Sequence, residues 1–179
     1  MQMANVNIKN MRKLPSLREL SHELPTTVKM EELILDARTA VENILSAKGG
    51  QGKLLVIVGP CSVHSVAETL EYAERLSRLS KVVASRVTII MRMCGDKPRT
   101  RKDWEGFMKD PHLDGSCDMV SGFRLTRKLM LRILELGMPI ATEALHRNAF
   151  NVVSDLVSYA WIGARTIACL LYTSDTADE

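Results

Sequence analysis

Five basic side chains follow a short apolar run in the segment 86–104, which reads RVTIIMRMCGDKPRTRKDW. They are Arg92, Lys97, Arg99, Arg101 and Lys102. The run VTIIM has the composition of a buried strand, and loops at the carboxyl ends of strands are where α/β proteins hold anionic ligands. Arginine makes planar, bidentate contacts to phosphate and carboxylate, and lysine adds a mobile charge or a proton. The segment therefore predicts a binding loop for a phosphorylated metabolite.

Other apolar runs also end in polar side chains that could take part in chemistry. LLVIV at 54–58 is followed by GPCS, which contains Cys61; Glu143 lies in MPIATEAL, and Arg165 lies in AWIGARTIA. Taken singly, such a cysteine is more often a small core residue, and Arg92 or Glu143 could simply pair with or solvate a strand end. In a barrel, however, residues at the carboxyl ends of successive strands converge on one site. The recurrence from strand to strand favours a shared site.

The elements that would position these residues alternate along the chain. Apolar residues at helical spacing and continuous apolar runs predict helices and strands in turn. Ser65 and Glu68 form a capping-box signature at the start of one helix. The βαβαβαβ order predicts a parallel sheet with helical crossovers, as an open doubly wound sheet or a closed (β/α)₈ barrel. The predicted helices are 27–47, a helix after Ser65, 120–136 and 148–158, and the predicted strands are 54–60, 87–91, 138–145 and 160–168.

Two stretches fall outside this alternation. Residues 1–24 are mixed and basic, and they predict a loosely structured arm with a short strand around Val6–Ile8. The connection 94–119 is rich in turn formers and charges. A connection this long inside a compact α/β unit is typical of a functional loop.

Composition excludes several classes of protein. The 179 residues are 46% hydrophobic and 25% charged, which is typical of globular proteins. The longest apolar runs are shorter than the ~18–20 residues that cross a bilayer, and no secretory pattern precedes them, so we expect a cytoplasmic protein without a membrane span. The four cysteines form no CxxC pair and predict free thiols. A net charge of +3 without interleaved aromatic residues argues against nucleic-acid binding.

The last eleven residues, CLLYTSDTADE at 169–179, break the pattern of the chain. They resemble the in-frame translation of a sequencing adapter, so we expect a non-native tail; the alternative is a genuine acidic tail. The tail holds three acidic residues and no lysine or arginine. Without it, 24 basic and 18 acidic residues leave a net charge of +6, which suits anionic substrates better.

Several sequence blocks together resemble one enzyme family. They are LLVIVGPCSVH (54–64), IIMRM followed by DKPRT (89–100), DPHLDGS (110–116) and IGART (162–166). These blocks, in this order, resemble the microbial class I 3-deoxy-D-arabino-heptulosonate 7-phosphate (DAHP) synthases that aromatic amino acids inhibit. The resemblance runs from about residue 6 to Thr166, and GPCS followed by KPRT at this separation is far more specific than a lone glycine motif.

The resemblance implies a metal-dependent (β/α)₈ barrel. Such a 3-deoxy-7-phosphoheptulonate synthase, a transferase, condenses phosphoenolpyruvate with erythrose 4-phosphate and water at the entry to the shikimate pathway of aromatic amino acid biosynthesis. It also implies a homo-oligomer, a dimer or tetramer, with an aromatic amino acid as inhibitor. The chain would comprise an N-terminal arm and helix (1–52), the first four βα units of the barrel (53–168) and the tail (169–179).

The family's site residues carry over position by position. Cys61 matches a ligand of a divalent metal such as manganese, iron or zinc, for which thiolate is a suitable donor. The positions that hold phosphoenolpyruvate match Arg92, Lys97 and Arg165, and Lys97 would also donate or relay a proton. Arg99 and Thr100 match contacts to the aldose phosphate. Glu143 matches an acidic residue near the reacting carbons.

Two departures from the family pattern stand out. Cys94, Gly95 and Asp96 replace an aromatic residue and a glutamate before KPRT, and we expect Gly95 to loosen the packing of this loop. HRNAFNVV (146–153) lacks the proline-containing turn of inhibitor-sensitive members.

The resemblance places the other metal ligands, a histidine, a glutamate and an aspartate, in a second half of the barrel. We therefore expect residues 1–179 alone to be inactive, and exposed sheet edges predict poor solubility. Two alternatives remain open. One is the related synthase that makes an eight-carbon keto acid phosphate, and the other is a non-catalytic phosphate-binding or regulatory half-barrel module.

Overall fold

Four parallel strands form one sheet in chain order, as the alternating pattern predicts. The computed structural model describes residues 11–46, 52–97 and 103–163. Each strand is hydrogen-bonded to the next one along the chain, and a crossover connects each pair. The strands are β1 (Leu54–Val58), β2 (Val87–Arg92), β3 (Ile140–Ala144) and β4 (Tyr159–Ile162). This order is that of the first four βα units of a barrel.

Local capping explains where the long helices begin. The helices are α1 (Leu17–Glu23), α2 (Val28–Leu45), α3 (Val66–Val83), α4 (Met119–Glu135) and α5 (Arg147–Asn151). The Ser65 hydroxyl accepts a hydrogen bond from the backbone N–H of Glu68 at 3.3 Å, which confirms the predicted start of α3. Asp118 caps α4 in the same way, by accepting from the N–H of Ser121. These contacts satisfy backbone donors that the first turn of a helix leaves without partners.

The main core lies between the helices and one face of the sheet. The predicted apolar stripe of α4 is buried there, with Phe123, Met130, Ile133 and Leu134 each no more than 2% exposed. The opposite face of the sheet carries a smaller cluster, in which Val41 of α2 packs with Ile90 and Ala141. Leu55, Ile57, Tyr159 and Trp161 pack against this cluster and are only partly buried. Among the helices within the described residues, none combines the length and apolarity that a bilayer crossing needs.

The third crossover differs from its prediction. A continuous helix over 148–158 is wrong, because α5 ends at Asn151 and a separate 3-10 turn covers Ser154–Leu156. Val153, between them, has φ −128° and ψ 1°, outside the helical region. Val152 and Val153 are both buried, and β-branched side chains are stiff, so their packing into the core prevails over helical continuity. β4 starts one residue earlier than expected, and the rest of that predicted strand, from residue 164 on, lies outside the described residues.

The described part of the amino-terminal arm, residues 11–24, is more ordered than the sequence predicted. Ser16 and Glu19 form a full capping box: each side chain accepts from the other residue's backbone N–H, at 3.2 and 2.8 Å. The helix α1 that they start buries Leu20 completely. The serine and glutamate spacing is a known start signal, and the prediction of a loose arm overlooked it. The predicted strand around Val6–Ile8 lies outside the described residues.

A buried ion pair joins this arm to the third crossover. Arg127 on α4 is fully buried, and its guanidinium donates to both carboxylate oxygens of Asp155 at 2.8 and 2.7 Å. Its Nε donates to the carbonyl oxygen of Leu24 at 3.0 Å. Removing one partner of such a pair is costly because it leaves a buried charge uncompensated.

We predict that Asp155→Ala lowers the free energy of unfolding by about 3 kcal/mol, at the lower end for a buried pair because Asp155 is partly exposed. Glu23→Ala is the matched control. It breaks the exposed pair of Glu23 with Arg124, which lies on α4 like Arg127, and it should cost less than about 1 kcal/mol. Urea unfolding of the two variants measures the difference. An equal fall in the free energy of unfolding in both variants would show that the pair of Arg127 with Asp155 stabilises the fold no more than an exposed ion pair does.

Candidate functional site

The carboxyl ends of β1 and β2 approach each other closely enough to require a glycine. A Cβ atom on Gly59 would lie only 2.1 Å from the carbonyl oxygen of Arg92, far inside van der Waals contact. Because Gly59 has no side chain, the GPCS turn can lie against the end of β2. There the guanidinium of Arg92 donates to the carbonyl oxygen of Pro60 at 3.4 Å. Gly59 thus allows the GPCS turn after β1 to contact the end of β2, where the basic segment begins.

Lys97 and Cys61, which are 36 positions apart in sequence, are in direct contact. The ammonium of Lys97 donates to the backbone carbonyl oxygen of Cys61 and lies 3.6 Å from its sulfur. Lys97 is only 7% exposed, whereas Cys61 is exposed. The predicted metal ligand and the predicted proton donor are therefore neighbours at this end of the sheet.

This contact changes the acidity of the thiol. The pKa of Cys61 is lowered, chiefly by the positive charge of Lys97 and then by its hydrogen bond, with a smaller contribution from Arg92. A nearby cation favours the thiolate, which is the form that attacks electrophiles and binds metals. By contrast, burial raises the pKa of Cys94, which lies inside the fold. The structure thus distinguishes an exposed thiol of lowered pKa, Cys61, from a buried thiol of raised pKa, Cys94.

Arg92 and Glu143 lie on the same face of the sheet, together with an aromatic residue that the sequence did not single out. Arg92 is the register partner of Ala141, and Glu143 is the register partner of Trp161. Ala141 and Glu143 are two positions apart on β3 and therefore share a face, so Arg92, Glu143 and Trp161 lie on that face together. The guanidinium carbon of Arg92 lies 5.8 Å from the centroid of the Trp161 ring, within the range of a cation–π contact. Trp161 could have been found from its alternation with Tyr159 along β4.

Three predicted residues lie outside the described residues: Arg99, Thr100 and Arg165. Their proposed contacts with substrate stay predictions. The structure brings together the remaining four, Cys61, Arg92, Lys97 and Glu143, at the carboxyl ends of three adjacent strands.

The described part of the long connection is packed rather than loose. The Gly95 carbonyl oxygen accepts from the N–H of Met108 at 2.8 Å. A Cβ atom on Gly95 would lie 3.2 Å from the side chain of Met108 and 3.3 Å from that of Thr126. The expectation that Gly95 loosens this loop is therefore wrong, because the absence of a side chain allows close packing.

A second cluster of charged side chains, which sequence reasoning missed, lies beside Lys97. Asp96 is 6% exposed, and its Oδ2 lies 2.8 Å from Nδ1 of His146 at the start of α5. Its Oδ1 accepts from the backbone N–H of Lys97 at 2.9 Å. Fifty positions separate Asp96 from His146, and no local pattern indicates that they pair.

The described residues do not make a metal centre on their own. Among them, no three or more histidine, cysteine, aspartate or glutamate side chains are grouped so that they could hold a metal ion. Cys61 offers one suitable donor, whereas a catalytic metal usually has about three protein ligands. The part of the chain that the structure describes therefore fits a one-ligand contribution and not a complete site.

Comparison with known proteins identifies the family. The model of the DAHP synthetase I family matches residues 27–173. The tyrosine-sensitive phospho-2-dehydro-3-deoxyheptonate aldolase of Escherichia coli K12 is 39% identical over 162 residues, which are 90% of this chain and 45% of that protein. The tryptophan-sensitive enzyme of the same strain is 43% identical over 148 residues, 83% of this chain and 42% of that protein.

A solved structure agrees with the sequence relatives. The phospho-2-dehydro-3-deoxyheptonate aldolase of Francisella tularensis SCHU S4 superposes with a TM-score of 0.86 and 34% identity. The match covers 93% of this chain and 48% of that one. The chain therefore spans about half the length of the relatives that it matches.

We predict that Lys97→Met slows alkylation of Cys61 by iodoacetamide at about pH 7. Removing the cation raises the pKa of the thiol, so a smaller fraction is thiolate at a pH below that pKa. The rate should fall about threefold for each unit of pKa, since higher nucleophilicity partly offsets a tenfold loss of thiolate.

Mass spectrometry of the Cys61 peptide gives this rate, and Lys13→Met is the control. Lys13 pairs with Glu19 and is not among the groups that shift the pKa of Cys61. An unchanged rate of Cys61 alkylation in Lys97→Met would contradict the contact between the Lys97 ammonium and Cys61.

Proposed function

Since the chain belongs to the DAHP synthetase I family, we propose that it acts in the condensation of phosphoenolpyruvate with erythrose 4-phosphate and water, which yields DAHP and phosphate. This reaction is the first step of aromatic amino acid biosynthesis. One observation carries the proposal: Lys97 and Arg92 converge beside Cys61 at the carboxyl end of a parallel sheet. Ligands of such sheets bind at that end.

Phosphoenolpyruvate is the substrate that we assign to Arg92 and Lys97, with Arg165 as a third contact. The ion pairs among the described residues include neither Arg92 nor Lys97, so neither charge is neutralised by a carboxylate in that part of the chain. Arg92 contacts a carbonyl oxygen and an aromatic ring instead. Cations that no carboxylate neutralises attract the phosphate and the carboxylate of phosphoenolpyruvate, and they hold the substrate in place for the reaction.

We also assign to Lys97 the role of a proton donor or relay. Its ammonium lies against Cys61 and is largely withdrawn from solvent, so a group bound there would meet a fixed N–H donor. Positive charge develops on the carbon next to the attacking enol carbon, and Glu143 is the acidic residue that we place near it. We assign Arg99 and Thr100 to the phosphate of the aldose.

Cys61 is the residue that would hold a divalent metal, manganese, iron or zinc. The lowered pKa of its thiol supports this role, since thiolate is the ligating form. When bound, such a metal supplies Lewis-acid polarisation of an aldehyde. From the resemblance, we propose that the other ligands, a histidine, a glutamate and an aspartate, come from outside residues 1–179, so that residues 1–179 alone do not turn over.

Regulation and assembly follow the relatives in our proposal. The two Escherichia coli relatives are named for sensitivity to tyrosine and to tryptophan, and their identities of 39% and 43% do not single out one effector. We propose an aromatic amino acid as inhibitor, a homo-oligomer (dimer or tetramer) and a cytoplasmic location. We also propose the division into 1–52, 53–168 and a non-native 169–179. Reading the source DNA across codon 168 tests the last boundary.

We predict that the 179-residue chain binds phosphoenolpyruvate and that Arg92→Ala weakens the binding at least about tenfold, the value of one lost charged hydrogen-bond contact of about 1.4 kcal/mol. Isothermal titration measures the affinity. Arg124→Ala is the matched control, because Arg124 is a partly exposed arginine of α4 that pairs with Glu23 of α1. Binding that Arg92→Ala leaves unchanged would contradict the assigned site.

Phosphate release in the presence of both substrates and manganese tests the catalytic part of the proposal. We expect no turnover from residues 1–179. In the full-length gene product, we expect erythrose 4-phosphate to be used in preference to a five-carbon aldose phosphate. The reverse preference would favour the eight-carbon synthase, and turnover by the 179-residue chain would contradict the proposal that residues 1–179 alone are inactive.

A further inference from the structure

A buried carboxylate next to Lys97 makes contacts that the proposed reaction does not use. Asp96 is 6% exposed, and its two oxygens are engaged in different directions. Oδ2 faces Nδ1 of His146 at 2.8 Å, and Oδ1 faces the backbone N–H of Lys97 at 2.9 Å and Nζ of Lys109 at 3.7 Å. Burying a charge is costly unless it is paired and hydrogen-bonded, and Asp96 meets both conditions.

The contacts of Asp96 act directly on the backbone of Lys97. The N–H of Lys97 donates to Oδ1 of Asp96 and also to the carbonyl oxygen of Glu105 at 3.0 Å. The peptide group of Lys97 is therefore held between the side chain of Asp96 and the backbone of Glu105. The direction in which the Lys97 side chain leaves the backbone, toward Cys61, depends on how this peptide is oriented.

His146 fixes Asp96 from another strand. It occupies the N-cap position of α5 but makes no side-chain cap for that helix. Its imidazole reaches Asp96 instead, although the His146 side chain is itself 53% exposed. The residue lies two positions after the end of β3 and three positions after Glu143, so the pair connects the end of β3 to the segment after β2.

We propose that Asp96 and His146 are positioning residues, which hold the Lys97 backbone so that its ammonium stays against Cys61. The contacts of Asp96 with His146 and with the Lys97 backbone are observed in the structure. The part that Lys97 plays in catalysis rests on the function proposed above. The pair spans two successive strand ends of the site. A pair that only stabilised the fold would have no specific effect on the surroundings of Cys61.

The test measures the alkylation of three cysteines in one sample, without any substrate. The 179-residue chain is treated with iodoacetamide in the presence of a chelator at about pH 7, and the peptides of Cys61, Cys94 and Cys117 are quantified over time. Cys117 is exposed and corrects for reagent activity, and Cys94 is buried and reports loss of packing. The variants are Asp96→Asn and His146→Gln, with His64→Gln as the matched control.

His64 is an exposed histidine that pairs with Glu68 and lies only three positions from Cys61. We expect His64→Gln to leave the ratio of the Cys61 and Cys117 rates unchanged. Asp96→Asn and His146→Gln should each lower that ratio by about threefold, because a displaced ammonium no longer favours the thiolate of Cys61, while Cys94 stays protected.

An unchanged ratio in His146→Gln, with Cys94 protected, overturns the proposal. So does an equal fall of the ratio in His64→Gln. If Asp96→Asn exposes Cys94, the surface variant His146→Gln decides alone. Because no phosphoenolpyruvate is present, failure here is distinct from failure of the proposed function, which the titration of Arg92→Ala tests.

Discussion

The contact between the Lys97 ammonium and Cys61 is the interaction on which the site depends. It brings a lysine from the loop after β2 to the cysteine of the turn after β1, and both ends must be placed accurately. Gly59 supplies one condition, because any side chain there would collide with the carbonyl of Arg92. The packed loop from Met93 to Lys97 supplies the other. The result is a thiol of lowered pKa beside cations that no carboxylate of the described residues neutralises.

Electrostatics and packing are divided between the two faces of the sheet. Helices α3 and α4 bury one face with an ordinary apolar core, and that rigid layer fixes the positions of the strand ends. The other face carries Arg92, Glu143 and Trp161 and is only partly covered within the described residues. Charged groups can remain on that face because they stay near solvent, where the cost of desolvation is modest. Binding of an anion would then exchange water for fixed donors.

The sequence predicted the parallel sheet, the long helices and the convergence of Cys61, Arg92 and Lys97 on one edge. These features depend on local periodicity and on the rule that parallel strands present their carboxyl ends together. It did not predict the break in the third crossover, where burial of Val152 and Val153 overrides helical continuity. Nor did it predict the pairing of Asp96 with His146, because a contact across fifty positions has no local signature. The helix α1 was predictable from its capping box and was overlooked.

Protection of Cys61 by phosphoenolpyruvate tests the central claim most directly. The rate of Cys61 alkylation is measured against that of Cys117 as phosphoenolpyruvate is added, with sulfate as an anion control. If Arg92 and Lys97 bind this substrate beside the thiol, the Cys61 rate falls along a saturable curve, sulfate has a weaker effect, and Cys117 does not respond. A Cys61 rate that stays constant at every concentration, or that sulfate lowers equally, would contradict a phosphoenolpyruvate site at this end of the sheet.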